Sequence, residues 1–186
     1  MPISINGTGT ITGISAGGLP DGCITEADLS TAAVTTDKIA AGAVTTPKIT
    51  GGPAFSATAN AGATISHNTF TKVAFQVEEY DTASCYDNTT NYRFTPNVAG
   101  YYQVTARTQF TASAGTGETL LLLYKNGADH RRGVGSSWAA YVNAVIYFNG
   151  TTDYVETYMY QGTGSPLSIT GVSGFAYFQA FLIRPA

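Results

Sequence analysis

Two histidines, His67 and His130, and twelve acidic residues are the groups from which an acid–base site would have to be built. The histidines fall in separate loop-like stretches. Neither is set in a pattern that supplies a nucleophile, a base and an orienting group. His130 lies in Asp129-His130-Arg131-Arg132, which reads as a solvated hairpin turn. Glu78, Glu79, Asp81 and Asp87 gather four carboxylates in one stretch. Hard cations take such oxygen ligands, so these four are weak calcium candidates, although EF-hand spacing is absent. Nothing selects a glycosidase pair from the remaining acids. The expectation is a non-enzyme, with calcium as the one cofactor to consider.

Recognition chemistry is better represented. Trp138 is the only Trp, at the end of the stretch Arg131-Arg132-Gly133-Val134-Gly135-Ser136-Ser137. A lone Trp is more often packed in a core. Exposed, it would join Arg131, Arg132 and Tyr141 as a receptor-binding patch of aromatic and cationic groups.

The elements that must carry these residues are set by composition. Of 186 residues, 44% are apolar, enough for a core, and only 11% are charged, well below the usual quarter. The net charge is −3 with no long like-charge run, which argues against nucleic-acid binding. No apolar stretch approaches the length of a membrane span. The N-terminus lacks the basic and apolar regions of a secretory signal. Cys23 and Cys85 form no Cys-x-x-Cys and suit a reducing compartment as buried or spare thiols.

Composition breaks near Gly51-Gly52-Pro53, and every Phe, Tyr and Trp lies beyond it. Before the break runs a ten-residue repeat. Ile24, Val34 and Val44 are each followed five positions later by Leu29, Ile39 and Ile49. Thr-Thr-Asp-Lys and Thr-Thr-Pro-Lys between them read as N-caps opening one helical turn. Two aliphatics per ten residues cannot make a core in one chain, but they can line a seam between copies, as stacked short repeats do. Residues 21–52 are therefore expected to form a trimeric shaft with those six residues at its seam. Residues 1–20 alternate Ile3, Ile5, Ile11 and Ile14 with Gly, Ser and Thr, which suggests short extended segments docking on a virion partner.

Residues 53–186 read as all-β. Tyr102, Val104, Ala106, Thr108 and Phe110 alternate with polar residues at a period of two. Leu120–Leu123 are apolar on both faces. Further runs cover 140–148, 153–161, with Tyr154, Tyr158 and Tyr160 on one side as core or subunit interface, and 175–183. Asn126-Gly127 and Asn149-Gly150 are strong hairpin signals between such runs. Strands of this spacing indicate a β-sandwich or jelly roll. A sheet apolar on both faces needs a partner outside the sandwich, and another copy of the chain is the simplest one.

Several segments together resemble the C1q-like domain of the C1q/TNF superfamily. Pro53-Ala54-Phe55-Ser56-Ala57 is similar to its first strand, and Phe70-Thr71-Lys72-Val73-Ala74-Phe75 to its second. Its most recognisable motif is matched by Tyr92-Arg93-Phe94-Thr95-Pro96-Asn97-Val98-Ala99-Gly100-Tyr101-Tyr102. Leu121-Leu122-Leu123-Tyr124-Lys125-Asn126-Gly127 and Phe175–Leu182 resemble later strands, the latter keeping the usual Ser-Gly-Phe only in part. The resemblance covers about seven-tenths of the chain. It implies a ten-stranded jelly roll, a homotrimer and binding rather than catalysis. The Val-Thr-Thr-x-Lys-Ile units resemble repeats of bacteriophage fibre proteins.

Together these readings predict a bacteriophage virion protein, a trimeric tail fibre or spike. Its C1q-like jelly-roll head would attach to a host-surface glycan or protein, without membrane insertion. The rival expectations are a capsid-bound head fibre or decoration protein, a bacterial C1q-like binding module, and a depolymerase.

Overall fold

The computed structural model describes residues 51–60 and 63–186, together with Thr25, Ala27, 29–31, 33–35 and Ile39. The chain divides into two units, Met1–Thr50 and Gly51–Ala186. Among the described residues no helix is long and apolar enough to cross a membrane. In the first unit Leu29, Val34 and Ile39 stand exposed. Ile24, Val44, Ile49, Ile3, Ile5, Ile11, Ile14 and Cys23 lie outside the described residues.

The second unit is a two-sheet sandwich. Its first sheet contains β1 (Ala54–Thr58), β4 (Val77–Asp81), β7 (Gly100–Gln109), β10 (Val134–Gly135), β11 (Ala139–Phe148) and β14 (Tyr177–Pro185). Their order across the sheet is β10-β11-β7-β14-β1-β4. The second sheet contains β5 (Tyr86–Asp87), β6 (Arg93–Phe94), β8 (Thr119–Lys125), β9 (Ala128–Arg132) and β12 (Val155–Gln161). Its order is β5-β6-β12-β8-β9, and β3 (Thr71–Lys72) also pairs with β12. A small ladder of β2 (Thr64–Ile65) and β13 (Leu167–Ser168) lies beside them. The first strand pairs with the last, Ala54 opposite Phe181 and Thr58 opposite Tyr177. That pairing of distant segments, with strands passing between the two sheets, is the jelly-roll pattern.

Alternation decides which side of each strand enters the core. Tyr102, Val104, Ala106 and Thr108 of β7 are buried, as are Leu121 and Leu123 of β8 and Val155, Thr157 and Met159 of β12. Phe55 stacks on Tyr86 and Phe94, with ring centroids 4.5 and 4.6 Å away, and meets Phe178 edge-on at 4.9 Å. Tyr102 lies edge-on to Phe148 at 5.4 Å. Burying a Tyr requires a partner for its hydroxyl. The Tyr86 hydroxyl donates to the Phe75 carbonyl at 2.9 Å and that of Tyr102 to the Val98 carbonyl at 2.8 Å. Burial pushes the Tyr102 phenol up to about 12, and raises the buried Cys85 thiol above its usual range.

One sequence expectation holds here and two change. Asn126-Gly127 is a hairpin turn, joining β8 to β9 with Lys125 opposite Ala128 and both turn residues at positive φ. Asn149-Gly150 is not one, because β11 and β12 belong to different sheets. There the Asn149 carboxamide oxygen accepts the amides of Thr151, Thr152 and Asp153, so the loop is turned by a side chain. Asp129–Arg132 is the return strand β9 rather than a turn. The chain then crosses from the second sheet to the first at Gly133, where a Cβ would collide with the Tyr141 carbonyl.

Candidate functional site

The outer face of the first sheet follows from the same alternation. With Tyr102, Val104 and Ala106 turned inward, Tyr101, Gln103, Thr105 and Arg107 of β7 point outward. The ladder places Tyr147 beside Tyr101, with rings 5.5 Å apart, and Gln103 between Val145 and Phe181. A polar row follows, of Asn143, Thr105, Gln179 and Ser56. Gln103 donates its amide to the Asn143 side-chain oxygen within this face. The last row holds Tyr141, Arg107, Tyr177, Thr58 and Val77. Tyr141, Val145 and Phe181 are 58%, 51% and 52% exposed. These large side chains at more than half exposure flank β7 on both sides, and with the exposed Tyr101 and Tyr147 they give the face an apolar character of the kind that marks an interaction surface.

Charge on this face is sparse. Arg107 donates to the Gly174 carbonyl at 3.2 Å and sits over the Phe175 ring at 5.1 Å, so these contacts are neutral. An open depression of about 310 Å³ beside it is lined by Val134, Ser136, Ala139 and Tyr141. At the far edge, the Glu79 carboxylate accepts the Ser56 hydroxyl at 2.7 Å, which places it on the same outward side.

The four residues expected to form a receptor patch are divided. Trp138 is 52% exposed and not part of the core, since Ser136 and Ala139 close a tight turn that lifts it out. Its backbone carbonyl accepts the Phe110 amide at the end of the sandwich opposite to Pro53. A depression of about 440 Å³ at this end is lined by 115–120 and 134–137. Arg132 and Tyr141 border another depression with Gly133 and Val134, which Trp138 and Arg131 do not line. Arg132 is held by Asp129 at 2.6 Å.

The four acidic residues are not gathered into a donor set. Among the described residues no group of three or more potential ligands is close enough to hold a metal ion. Asp87 closes the 87–91 turn instead. It accepts the amides of Thr90, Thr89 and Asn91 and the side chains of Thr89 and Asn91. Those bonds, the Thr90 amide first, hold its carboxyl well below the usual carboxylate range. Asp81 accepts the amides of Ala83 and Tyr86. The histidines are also apart. His67 accepts the Gly164 amide at 2.9 Å, and His130 lies on β9, where burial and then Arg131 lower its pKa.

Sequence reasoning missed the edge strand β4 and the position of Phe175 over Arg107. The exposed Val77 and Tyr80 alongside Glu78 and Glu79 were the available signal for β4, masked by reading the acids as ligands.

No protein-family model matches the chain, and no curated protein sequence does. Solved structures do. A TNF protein of S. frugiperda, Eiger, aligns at TM-score 0.57 and 11% identity over 73% of this chain and 95% of its own. The globular domain of zebrafish complement 1qA aligns at 0.51 and 21% identity, over 72% and 99% of the two chains. The PRD1 vertex protein aligns at 0.53 and 17% identity, also over 72% and 99%. At such identities the likeness is one of fold, and it spans the whole sandwich: residues 51–186 have the C1q/TNF-like jelly-roll fold.

Proposed function

We propose that this chain is a bacteriophage virion structural protein. Three copies associate through the outer face of the first sheet, and the jelly-roll heads contact the host surface. The observation that carries this reading is the apolar outer face itself, with Tyr101, Tyr141, Val145, Tyr147 and Phe181 exposed in one chain. Covering such a face on a neighbouring copy removes several aromatic and aliphatic side chains from water at roughly 25 cal/mol per Å². The C1q/TNF-like fold supports three copies as the number, and the ten-residue repeat with its exposed Leu29, Val34 and Ile39 supports a second seam in the same assembly.

Attachment is argued from position. The chain enters the sandwich at Pro53, and the opposite end carries Trp138 with its neighbouring depression. Three copies would present three such ends together, so weak contacts gain through effective concentration. The likeness to a vertex protein favours a second reading, a capsid-bound fibre in place of a tail fibre. Neither assigns catalysis or a resident metal.

Antibodies against residues 53–186 should decorate intact particles made from the genome that encodes the chain, at fibres or at vertices. A chain recovered only from bacterial surfaces, never from particles, would overturn the virion assignment. Loss of polymer viscosity on adding pure protein would overturn the binding role in favour of an enzyme.

A further inference from the structure

Covering the outer face strips water from the two charges on it near its last row, and each then needs an opposite partner. Arg107 makes its side-chain hydrogen bonds to neutral groups, the Gly174 carbonyl and Gln109. Glu79 accepts only the Ser56 hydroxyl among the side-chain contacts found. Between β7 and β4 lie β14 and β1, so within one chain the two charges are about 14 Å apart at ordinary strand spacing. They cannot meet in a single copy.

Along the strands they stand between one and two residues apart, roughly 3–7 Å. Arg107 shares its row with Val77, and Glu79 is the extra residue where the pairing of β4 shifts, between Glu78 opposite Ala57 and Tyr80 opposite Ser56. Rotation about an axis parallel to the strands keeps height unchanged. An axis in that direction would carry Glu79 of one copy to within that offset of Arg107 in the next, a gap these two long side chains can span. Arg184, the other cation turned to this side, pairs with Tyr101, about 20 Å along the strand from Arg107.

Resting on the self-association proposed above, we infer that Arg107 of one copy forms an ion pair with Glu79 of the next. This pair sets which edge meets which face. The contact joins unlike patches, the β4 edge and the β7 region of the face, so it favours one direction around a ring. Any other register leaves both charges covered without an opposite partner, a penalty that acts as specificity rather than bulk affinity.

The test is charge exchange in the full chain, read as self-association by light scattering over a concentration series. Arg107→Glu and Glu79→Arg should each raise the dissociation constant at least tenfold, and the double exchange R107E/E79R should recover most of that loss. The neutral variants guard against misfolding. Arg107→Gln and Glu79→Gln should each weaken assembly, and the two together should assemble better than either. Wild-type assembly in all single variants, or a double exchange no better than its parents, would overturn the pair while leaving self-association standing. A wild-type chain that stays single would overturn both.

Discussion

The two sheets share one core, yet their outer faces are finished in different ways. On the second sheet, Lys72 bonds Glu156 at 2.6 Å, Tyr124 stacks on Tyr158 at 4.1 Å and Arg93 covers Tyr154 at 4.4 Å. Leu122, turned to that side, is still fully buried, with Tyr158 and Arg132 beside it in the ladder. Polar and aromatic groups of the same chain thus close that face. The first sheet does the opposite. Its outward side chains are mostly uncharged and large, and its rows end on half-exposed rings. The same alternation produces both faces. The difference lies in whether charged neighbours cover the aromatics, as Lys72 of β3 and Arg93 of β6 do. A face closed within the chain is a stability device, and one left open requires another chain.

That contrast can be broken most severely at the centre of the open face. The double variant V145D/F181D places carboxylates at two exposed positions there. It should shift assembly to single chains, raising the dissociation constant more than a hundredfold, while circular dichroism keeps the folded strand signal. The reciprocal change belongs to the closed face. Lys72→Met leaves the buried Glu156 without its cation. Uncompensated buried charge is costly, so unfolding in denaturant should show a loss of about 3 kcal/mol, the low end for a buried pair because the Lys72 side chain is itself one-third exposed. The associated mass should not change. If K72M dissociates the protein, the division of labour between the sheets is wrong.

Smaller effects sharpen the same picture. The Asp87 turn belongs to the second sheet and acts within the chain. Its folded pKa is depressed, so its contribution is present above the unfolded carboxylate value near ~3.9 and is lost as pH falls through the lower folded value. Asp87→Ala should cost about 1–2 kcal/mol at neutral pH and flatten the stability profile at acid pH. Trp138→Ala should change stability by less than about 0.5 kcal/mol, because the side chain is exposed, and leave the mass unaltered. Any adhesion of the protein to host cells should fall, which would place the contact at that end.

Much of this fold is legible in the sequence where strands are long. The ten-residue alternation in β7 marks its core face, and Leu121 and Leu123 take the core positions that an apolar run allows. Strands of two residues, β2, β3, β5, β6, β10 and β13, have no periodicity to read. Asn149-Gly150 misled because the same dipeptide that closes a hairpin also suits a loop between sheets, and only the pairing of β11 with β7 distinguishes them. Trp138 is exposed because a turn residue need not follow the burial preference of its type. The candidate site was legible as a need, since apolar strands were seen to require a partner. Its residues were not, because which side of Tyr101, Val145 and Phe181 meets the core depends on register with sequence-distant strands.

The most direct measurement is the absolute mass of the full chain in solution by light scattering at neutral pH, beside V145D/F181D. Association through the open face predicts three times 19.4 kDa for the natural sequence and a single chain for the variant. A natural sequence that remains a single chain at tens of micromolar, or a variant that assembles equally well, would contradict it.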